Sequence, residues 1–166
     1  MRILGIDPGL GRTGYALVVA EKGRLAAGPA GIFSTPAGDE LGRRLLALYR
    51  QVASFLRQEQ PDVVAMEELY FNRNITTGIR VAQARGVCYL AAAEAGVPVA
   101  EYNPQHVKVA VTGYGGATKQ QVIYMVRSLL RLEKNPSPDD VADAMAVAIC
   151  HAHSGRGAGR AGEAWP

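Results

Sequence analysis

The first third of the chain alternates apolar runs with turn residues. Extended apolar segments cover roughly residues 2–8, 13–20 and 24–34, and the turn signals Pro8-Gly9 and Lys22-Gly23 punctuate them. Runs of this length, bounded by proline and glycine, are typical of β-strands joined by tight connections. The pattern therefore predicts three consecutive strands arranged as an antiparallel meander.

A helical pattern follows the meander. Apolar side chains recur three or four positions apart, with arginines between them, at Leu41, Leu45, Leu48, Tyr49, Val52, Phe55 and Leu56. This spacing gathers the apolar side chains on one face of a helix. We interpret the segment as a helix that packs on the core.

The second half of the chain alternates strand and helix patterns. Short apolar runs from Pro61 to Glu67 and from Val97 to Glu101 predict two more strands. Helical patterns fall at about 77–95, 104–111, 118–132 and 138–153. The order predicts an α/β domain with a mixed five-stranded sheet flanked by helices. A right-handed crossover would set the strand ending in Glu67 parallel to the strand ending in Asp7.

The two strands expected to lie parallel each end in an acid. The apolar residues 3–6 run into Asp7, and the apolar residues 63–66 run into Glu67. An ionised carboxylate at the end of a buried strand loses solvation, and such groups usually persist only when they are paired or bound to metal. Because parallel strands would end at the same sheet edge, the two carboxylates are expected to be neighbours.

A second acidic pair opens the last predicted helix. We place Ser137 as its N-cap and Pro138 as its first residue. Asp140 and Asp143 follow three residues apart, on one helical face. The adjacent Asp139 is an alternative to Asp140, and acids at a helix start are also favoured simply by the helix dipole. With the two strand-end acids, the pair forms a candidate set of oxygen ligands. Such ligands suit Mg²⁺ or Mn²⁺ rather than zinc and imply metal-assisted phosphoryl transfer.

Two segments carry residues suited to nucleic acid. The segment after Glu67 holds Tyr70 and Arg73. An aromatic ring there would contribute about 1–3 kcal/mol by stacking on an unpaired base, although a core position is the alternative for Tyr70. The segment Gly113-Tyr114-Gly115-Gly116 leads into a helix near Lys119. The amino-terminal N–H groups of this helix are suited to receive a phosphate, although a plain connection is the alternative.

Charge is distributed unevenly along the chain. The net charge is +3, but residues 73–134 contain eight lysines and arginines against three glutamates. A basic middle beside an acidic site suits DNA, because lysine and arginine hold a polyanion by releasing its counterions. A merely solvated basic face is the alternative.

Several motifs of the chain carry a family resemblance. They are Gly5-Ile6-Asp7-Pro8-Gly9, Thr13-Gly14-Tyr15, Met66-Glu67 with Tyr70, Gln83-Ala84-Arg85-Gly86, Gln105-His106-Val107-Lys108 and Asp140-Val141-Ala142-Asp143-Ala144. In this order they resemble the RuvC family of crossover-junction endodeoxyribonucleases, the Holliday junction resolvases with a ribonuclease-H-like fold. The resemblance covers roughly residues 1–153.

The resemblance implies roles for the matched residues. The catalytic and metal-binding tetrad would be Asp7, Glu67, Asp140 and Asp143, and the family's Asp-x-x-Asp spacing selects Asp140 over Asp139. Tyr70 would stack on DNA near the branch point, while Lys108 and Lys119 would contact phosphates. The cofactor would be Mg²⁺, two ions per active site, with Mn²⁺ able to substitute.

The same resemblance implies an assembly. Paired symmetric nicks across a four-way junction require two active sites, and a C₂ homodimer supplies them. We expect the alanine-rich helix around Ala82 to Ala95 to form the dimer contact. The RuvA and RuvB branch-migration complex would be the partner machinery.

Other functions are weighed against this one. A ribonuclease-H-like nuclease with another branched or hybrid substrate and a noncatalytic junction-binding protein both stay open. Actin-like ATPases and sugar kinases share the opening motif, but they need a second similar domain, for which 166 residues leave no room.

The expected organisation is one nuclease domain at residues 1–153 and a disordered Gly/Arg-rich tail at 154–166. Cys88 and Cys150 lie in alanine-rich helical patterns and are predicted to be small buried residues without a disulfide. With no charged-then-apolar leader and no run of membrane-spanning length, the expected location is the cytoplasm.

Overall fold

The computed structural model describes residues 1–69 and 75–154. These residues form one sheet of five strands in the order β3-β2-β1-β4-β5. The strands are β1 (Arg2–Asp7), β2 (Arg12–Glu21), β3 (Arg24–Ser34), β4 (Val63–Glu67) and β5 (Val99–Tyr102). β2 pairs antiparallel with β1 and β3, whereas β4 is parallel to β1 and β5. The predicted mixed five-stranded sheet, its meander and the parallel pairing of β1 with β4 are confirmed.

Helices cover both faces of this sheet. They are α1 (Leu41–Glu59), α2 (Ile75–Glu94), α3 (Pro104–Thr112), α4 (Lys119–Leu129) and α5 (Asp139–Ser154). Within the two described segments, no helix is both long enough and apolar enough to cross a membrane.

The start of β5 differs from its prediction. The strand begins at Val99 rather than Val97. Gly96 follows α2 in the left-handed region, with φ 67°, and the Val97 N–H donates to the Ala92 carbonyl at 2.9 Å. Because Val97 completes the end of α2, its backbone group is taken before the sheet begins.

The sheet separates two apolar cores. Neighbouring residues of one strand contribute to opposite cores: Ile3 and Ala65 pack with α3, α4 and α5, whereas Leu4 and Val64 pack with α1 and α2. Successive side chains of a strand point to opposite faces, so a strand buried on both faces reads as a continuous apolar run. This explains why β1 and β4 show no polar alternation.

The two cysteines lie in different cores. Cys88 belongs to the core under α2, and Cys150 belongs to the core under α5. Both are buried and free, as predicted. The predicted tail lies outside the described residues except for Ser154, which ends α5.

Candidate active site

The carboxyl ends of β1 and β4 meet at one edge of the sheet. Ile6 is in register with Met66, so the residues that follow on the two strands, Asp7 and Glu67, are neighbours. Both are partly buried. Parallel pairing therefore brings the two acids together, as the sequence predicted.

Helix α5 delivers the second pair of acids to the same edge. It approaches the sheet closely because glycines lie beneath it. A Cβ on Gly14 would collide with the backbone of Asp140, and a Cβ on Gly5 would collide with the Ala144 carbonyl. The absence of side chains at these positions sets the height of α5 above the sheet.

The start of α5 differs by one residue from its prediction. The Pro138 carbonyl accepts the Val141 N–H at 2.9 Å, so Pro138 precedes the first helical residue, Asp139. The two acids keep their predicted place on one face of the helix. Its apolar side is buried in the core, while the side chains of Asp140 and Asp143 are 32% and 30% exposed.

Burial and mutual repulsion raise pKa values in this cluster. The pKa of Asp7 is raised to about 7, first by burial and then by three neighbouring carboxylates. These neighbours, in decreasing order of effect, are Asp143, Asp140 and Glu67. Burial is also the main reason why the pKa values of Glu67 and Asp143 are raised. The four predicted acids therefore form one electrostatically coupled cluster.

This coupling predicts how stability depends on pH without metal. The folded-state pKa of Asp7, about 7, lies above its ordinary value of 3.8. Protonated Asp7 therefore stabilises the fold at low pH, and this contribution is lost as pH rises through the folded pKa. In urea unfolding with EDTA, the native chain should lose roughly 2–4 kcal/mol relative to Asp7→Asn between about pH 4 and pH 8. A difference that stays constant across this range would contradict the assignment.

Cations engage both acids of α5. Arg12 Nη2 lies 2.5 Å from Asp140 Oδ2, and Lys119 forms an ion pair with Asp143. Arg12 was missed by the sequence reasoning. It lies 128 positions from its partner, and no local pattern marks such a contact.

The structure describes two of the four residues predicted to contact DNA. Lys119 and Lys108 both lower the pKa of Glu67 through their charge, so both stand close to the acids. Tyr70 and Arg73 lie outside the described residues. Their assignment to DNA stays a prediction.

The acids fit a divalent ion by chemistry and charge. Among the described residues, no three acidic, histidine or cysteine side chains are already arranged to hold a metal. Asp140 and Asp143 instead face Arg12 and Lys119. Carboxylate oxygens are the ligands that Mg²⁺ and Mn²⁺ prefer, and a divalent charge would relieve the repulsion that raises the Asp7 pKa.

Arg85 is a second residue that the sequence reasoning did not assign. Its buried guanidinium donates from Nη1 to the Glu67 carbonyl and forms an ion pair with Glu101. Its Cζ also lies 5.5 Å from the centre of the Tyr89 ring. Arg85 thereby ties α2 to the ends of β4 and β5, and it lines a groove of about 390 Å³ beside Asp7. Its place in the Gln83-Ala84-Arg85-Gly86 motif was the available signal.

This sheet order, with acids ending its two central parallel strands, is characteristic of the ribonuclease-H-like class of proteins. The model of the family described as "Crossover junction endodeoxyribonuclease RuvC" matches residues 3–151. The chain therefore belongs to the RuvC family.

Individual relatives agree with this assignment. The crossover junction endodeoxyribonuclease RuvC of Syntrophomonas wolfei is 53% identical over 156 residues, which cover 94% of this chain and 91% of the relative. The protein of the same name from Desulfitobacterium hafniense is 54% identical over 154 residues, with 93% of each chain covered.

Solved structures share the fold. The Thermus thermophilus RuvC structure has a TM-score of 0.88 and 36% identity, covering 94% of this chain and 96% of that chain. A second structure, T. thermophilus RuvC in complex with Holliday junction substrate, has a TM-score of 0.89 at the same 36% identity, with 94% and 95% covered. The yeast mitochondrial Holliday junction resolvase Ydc2, at 14% identity and a TM-score of 0.65, shares the fold over 92% of this chain and 79% of its own.

Proposed function

We propose that this chain is a metal-dependent endonuclease that resolves four-way DNA (Holliday) junctions by paired symmetric nicks in recombination and repair. The convergence of Asp7, Glu67, Asp140 and Asp143 at one sheet edge carries this proposal. The family supports the choice of substrate, because its T. thermophilus member was solved with a Holliday junction.

In the proposed site, the four acids would hold two Mg²⁺ ions, for which Mn²⁺ would substitute. Bound ions would supply the charge that activates water and stabilises the departing 3′ oxygen. Asp7 lies deepest in the cluster and interacts with all three other acids, so its carboxylate would be the central residue of the set that holds metal. Hydrolysis would leave a 5′ phosphate and a 3′ hydroxyl.

The chain's own cations and aromatic residues would hold the DNA. Lys108 and Lys119 stand beside the acids, where they would bind phosphates of the strand to be cut. We assign Tyr70 to base stacking near the branch point and Arg73 to the adjacent backbone. These groups would position the scissile phosphate over the cluster.

A two-fold symmetric substrate calls for a C₂ homodimer with one active site in each subunit. Helix α2 supports this assembly, because Ile79 and Leu90 are 50% and 61% exposed. They lie eleven residues apart and so project from the same side of the helix. Two exposed apolar side chains on one side of a helix are compatible with a protein interface.

The proposed setting follows from the reaction. RuvA and RuvB are the proposed partners, as the branch-migration complex that would present junctions to this nuclease. Two free, buried cysteines suit a reducing compartment, and we place the protein in the cytoplasm. Residues 1–153 would form the single nuclease domain, followed by a tail at 154–166.

The function is tested with a mobile synthetic four-way junction, a matched linear duplex and an RNA/DNA hybrid, each with Mg²⁺ and with EDTA. The proposal expects paired nicks in the junction alone, and only with Mg²⁺. Faster cutting of the hybrid would identify a different ribonuclease-H-like nuclease. Junction binding without cleavage in either Mg²⁺ or Mn²⁺ would identify a noncatalytic binding protein.

Arg85→Ala is expected to slow junction cleavage by about 10- to 100-fold while leaving junction affinity nearly unchanged, because Arg85 acts through Glu67 rather than on DNA. Single-turnover cleavage and equilibrium binding separate the two quantities. Arg85→Lys should restore part of the rate, because the lysine retains a positive charge for Glu101. Equal losses of rate and affinity in Arg85→Ala would instead assign Arg85 to DNA binding.

A further inference from the structure

Arg12 reaches the acidic cluster from the first residue of β2. Its guanidinium contacts Asp140, with Nη2 and Oδ2 2.5 Å apart, and the two side chains are 52% and 32% exposed. The contact thus joins a surface cation to an acid that the proposed function assigns to metal.

Two arrangements of this pair predict opposite effects on metal binding. If Arg12 remains on Asp140 when metal binds, it orients the ligand, and removing it weakens metal binding by about 10- to 100-fold. If Arg12 and metal compete for the carboxylate, removing Arg12 strengthens metal binding. The sign of the change therefore distinguishes the two arrangements.

The structure favours competition. Both acids of α5 already pair with cations: Arg12 contacts Asp140, and Lys119 contacts Asp143 in the same way. The two cations supply part of the charge that the four acids require. Both ion pairs are partly exposed, so breaking them requires little free energy.

A displaced Arg12 would lie at the rim of the cluster, where the DNA backbone must approach. A guanidinium binds phosphate oxygens through two parallel hydrogen bonds, and it stays charged at any working pH. A bound phosphate would replace the Asp140 carboxylate as the partner of Arg12 once Asp140 binds metal.

We propose that Arg12 and the divalent metal compete for Asp140, and that metal binding releases Arg12 to the phosphate backbone of the junction. Arg12 then couples metal binding to DNA binding, because it binds either Asp140 or a phosphate. This inference rests on the proposed metal-dependent function.

The first test measures Mn²⁺ binding to the full chain without DNA, by the electron paramagnetic resonance signal of free Mn²⁺. Arg12→Ala should bind Mn²⁺ about two- to fivefold more tightly than the native chain. Arg2→Ala is the matched control, because it removes one positive charge and one ion pair, Arg2–Glu59 at 2.8 Å, from the opposite end of β1. In an Asp140→Asn background, Arg12→Ala should no longer change Mn²⁺ affinity.

The second test measures junction binding against salt concentration, in Ca²⁺ and in EDTA. In Ca²⁺, Arg12→Ala should weaken binding and reduce the slope of log affinity against log salt by about one. In EDTA the native chain and the variant should have nearly equal slopes, because Asp140 then holds Arg12.

The outcomes separate this inference from the function on which it rests. If the native chain binds no Mn²⁺, both the proposed metal-dependent function and the proposed competition for Asp140 would be overturned. If the native chain binds Mn²⁺ and Arg12→Ala binds it with equal or lower affinity, the proposed competition for Asp140 alone would be overturned. Equal slope differences in Ca²⁺ and in EDTA would also overturn it, because Arg12 would then reach DNA without release.

Discussion

Asp7→Asn is expected to slow junction cleavage by at least about a thousandfold, because loss of the central carboxylate that would hold metal removes several kcal/mol of transition-state stabilisation. Junction affinity should change little. Stability at neutral pH should stay equal or rise, because the substitution removes a partly desolvated charge that three other carboxylates repel. Single-turnover cleavage, junction binding in Ca²⁺ and urea unfolding measure the three quantities.

Asp139→Asn is the matched control for this experiment. Asp139 is the exposed first residue of α5 and neighbours Asp140. Its charge raises the pKa of Asp143 less than burial does, although it ranks ahead of the charge of Asp140. Because Asp139 lies outside the proposed set of metal ligands, its loss should change the cleavage rate by less than about threefold. A thousandfold lower cleavage rate in Asp139→Asn would assign the role of Asp140 to Asp139. Cleavage by Asp7→Asn within tenfold of the native rate would remove Asp7 from the catalytic set.

Gly14→Ala is expected to lower the free energy of unfolding by about 1–3 kcal/mol, because its new Cβ would collide with the backbone of Asp140 and force α5 away from β2. The cleavage rate should fall by more than the lower free energy of unfolding alone would explain. A displacement of catalytic groups by about 1 Å is enough to lower a rate by about 100-fold. Urea unfolding and single-turnover cleavage at saturating Mg²⁺ provide the two measurements.

Gly42→Ala is the control for Gly14→Ala. Gly42 lies in α1, where a new Cβ would meet nothing within 4 Å. The same chemical change should therefore leave cleavage intact and leave stability equal or up to about 1 kcal/mol higher. Similar behaviour of the two variants would show that α5 does not depend on the missing side chain at Gly14.

Much of the fold was predictable because its signals are local. The apolar runs of β1 and β4 and the helical stripe of α1 follow from which side chains are buried, and burial is visible in the sequence. The start of β5 was not predictable in this way. Val97 is apolar like its neighbours, but its N–H is used by the end of α2, and hydrophobicity does not report hydrogen-bond partners.

The same contrast between local signals and long-range contacts applies to the residues of the candidate site. Asp7 and Glu67 were found because an acid that ends an apolar strand is unusual. Arg12 and Arg85 were missed because their roles depend on where α5 and α2 lie on the sheet. The Arg12–Asp140 pair needs the close approach of α5 over Gly14. The contact of Arg85 with Glu67 is to a backbone carbonyl, which no sequence pattern marks.

The burial of α5 bears on protein engineering. Every residue from Ala144 to Cys150 is buried, so the helix that presents two of the four acids is also a central part of one core. It cannot tilt or slide to accommodate a new substrate without disrupting that core. A saturation library should therefore tolerate only small residues at Ala144 and Ala148. Selections for altered junction preference should accumulate changes on the exposed sides of α3 and α4, leaving the spacing of the acids untouched.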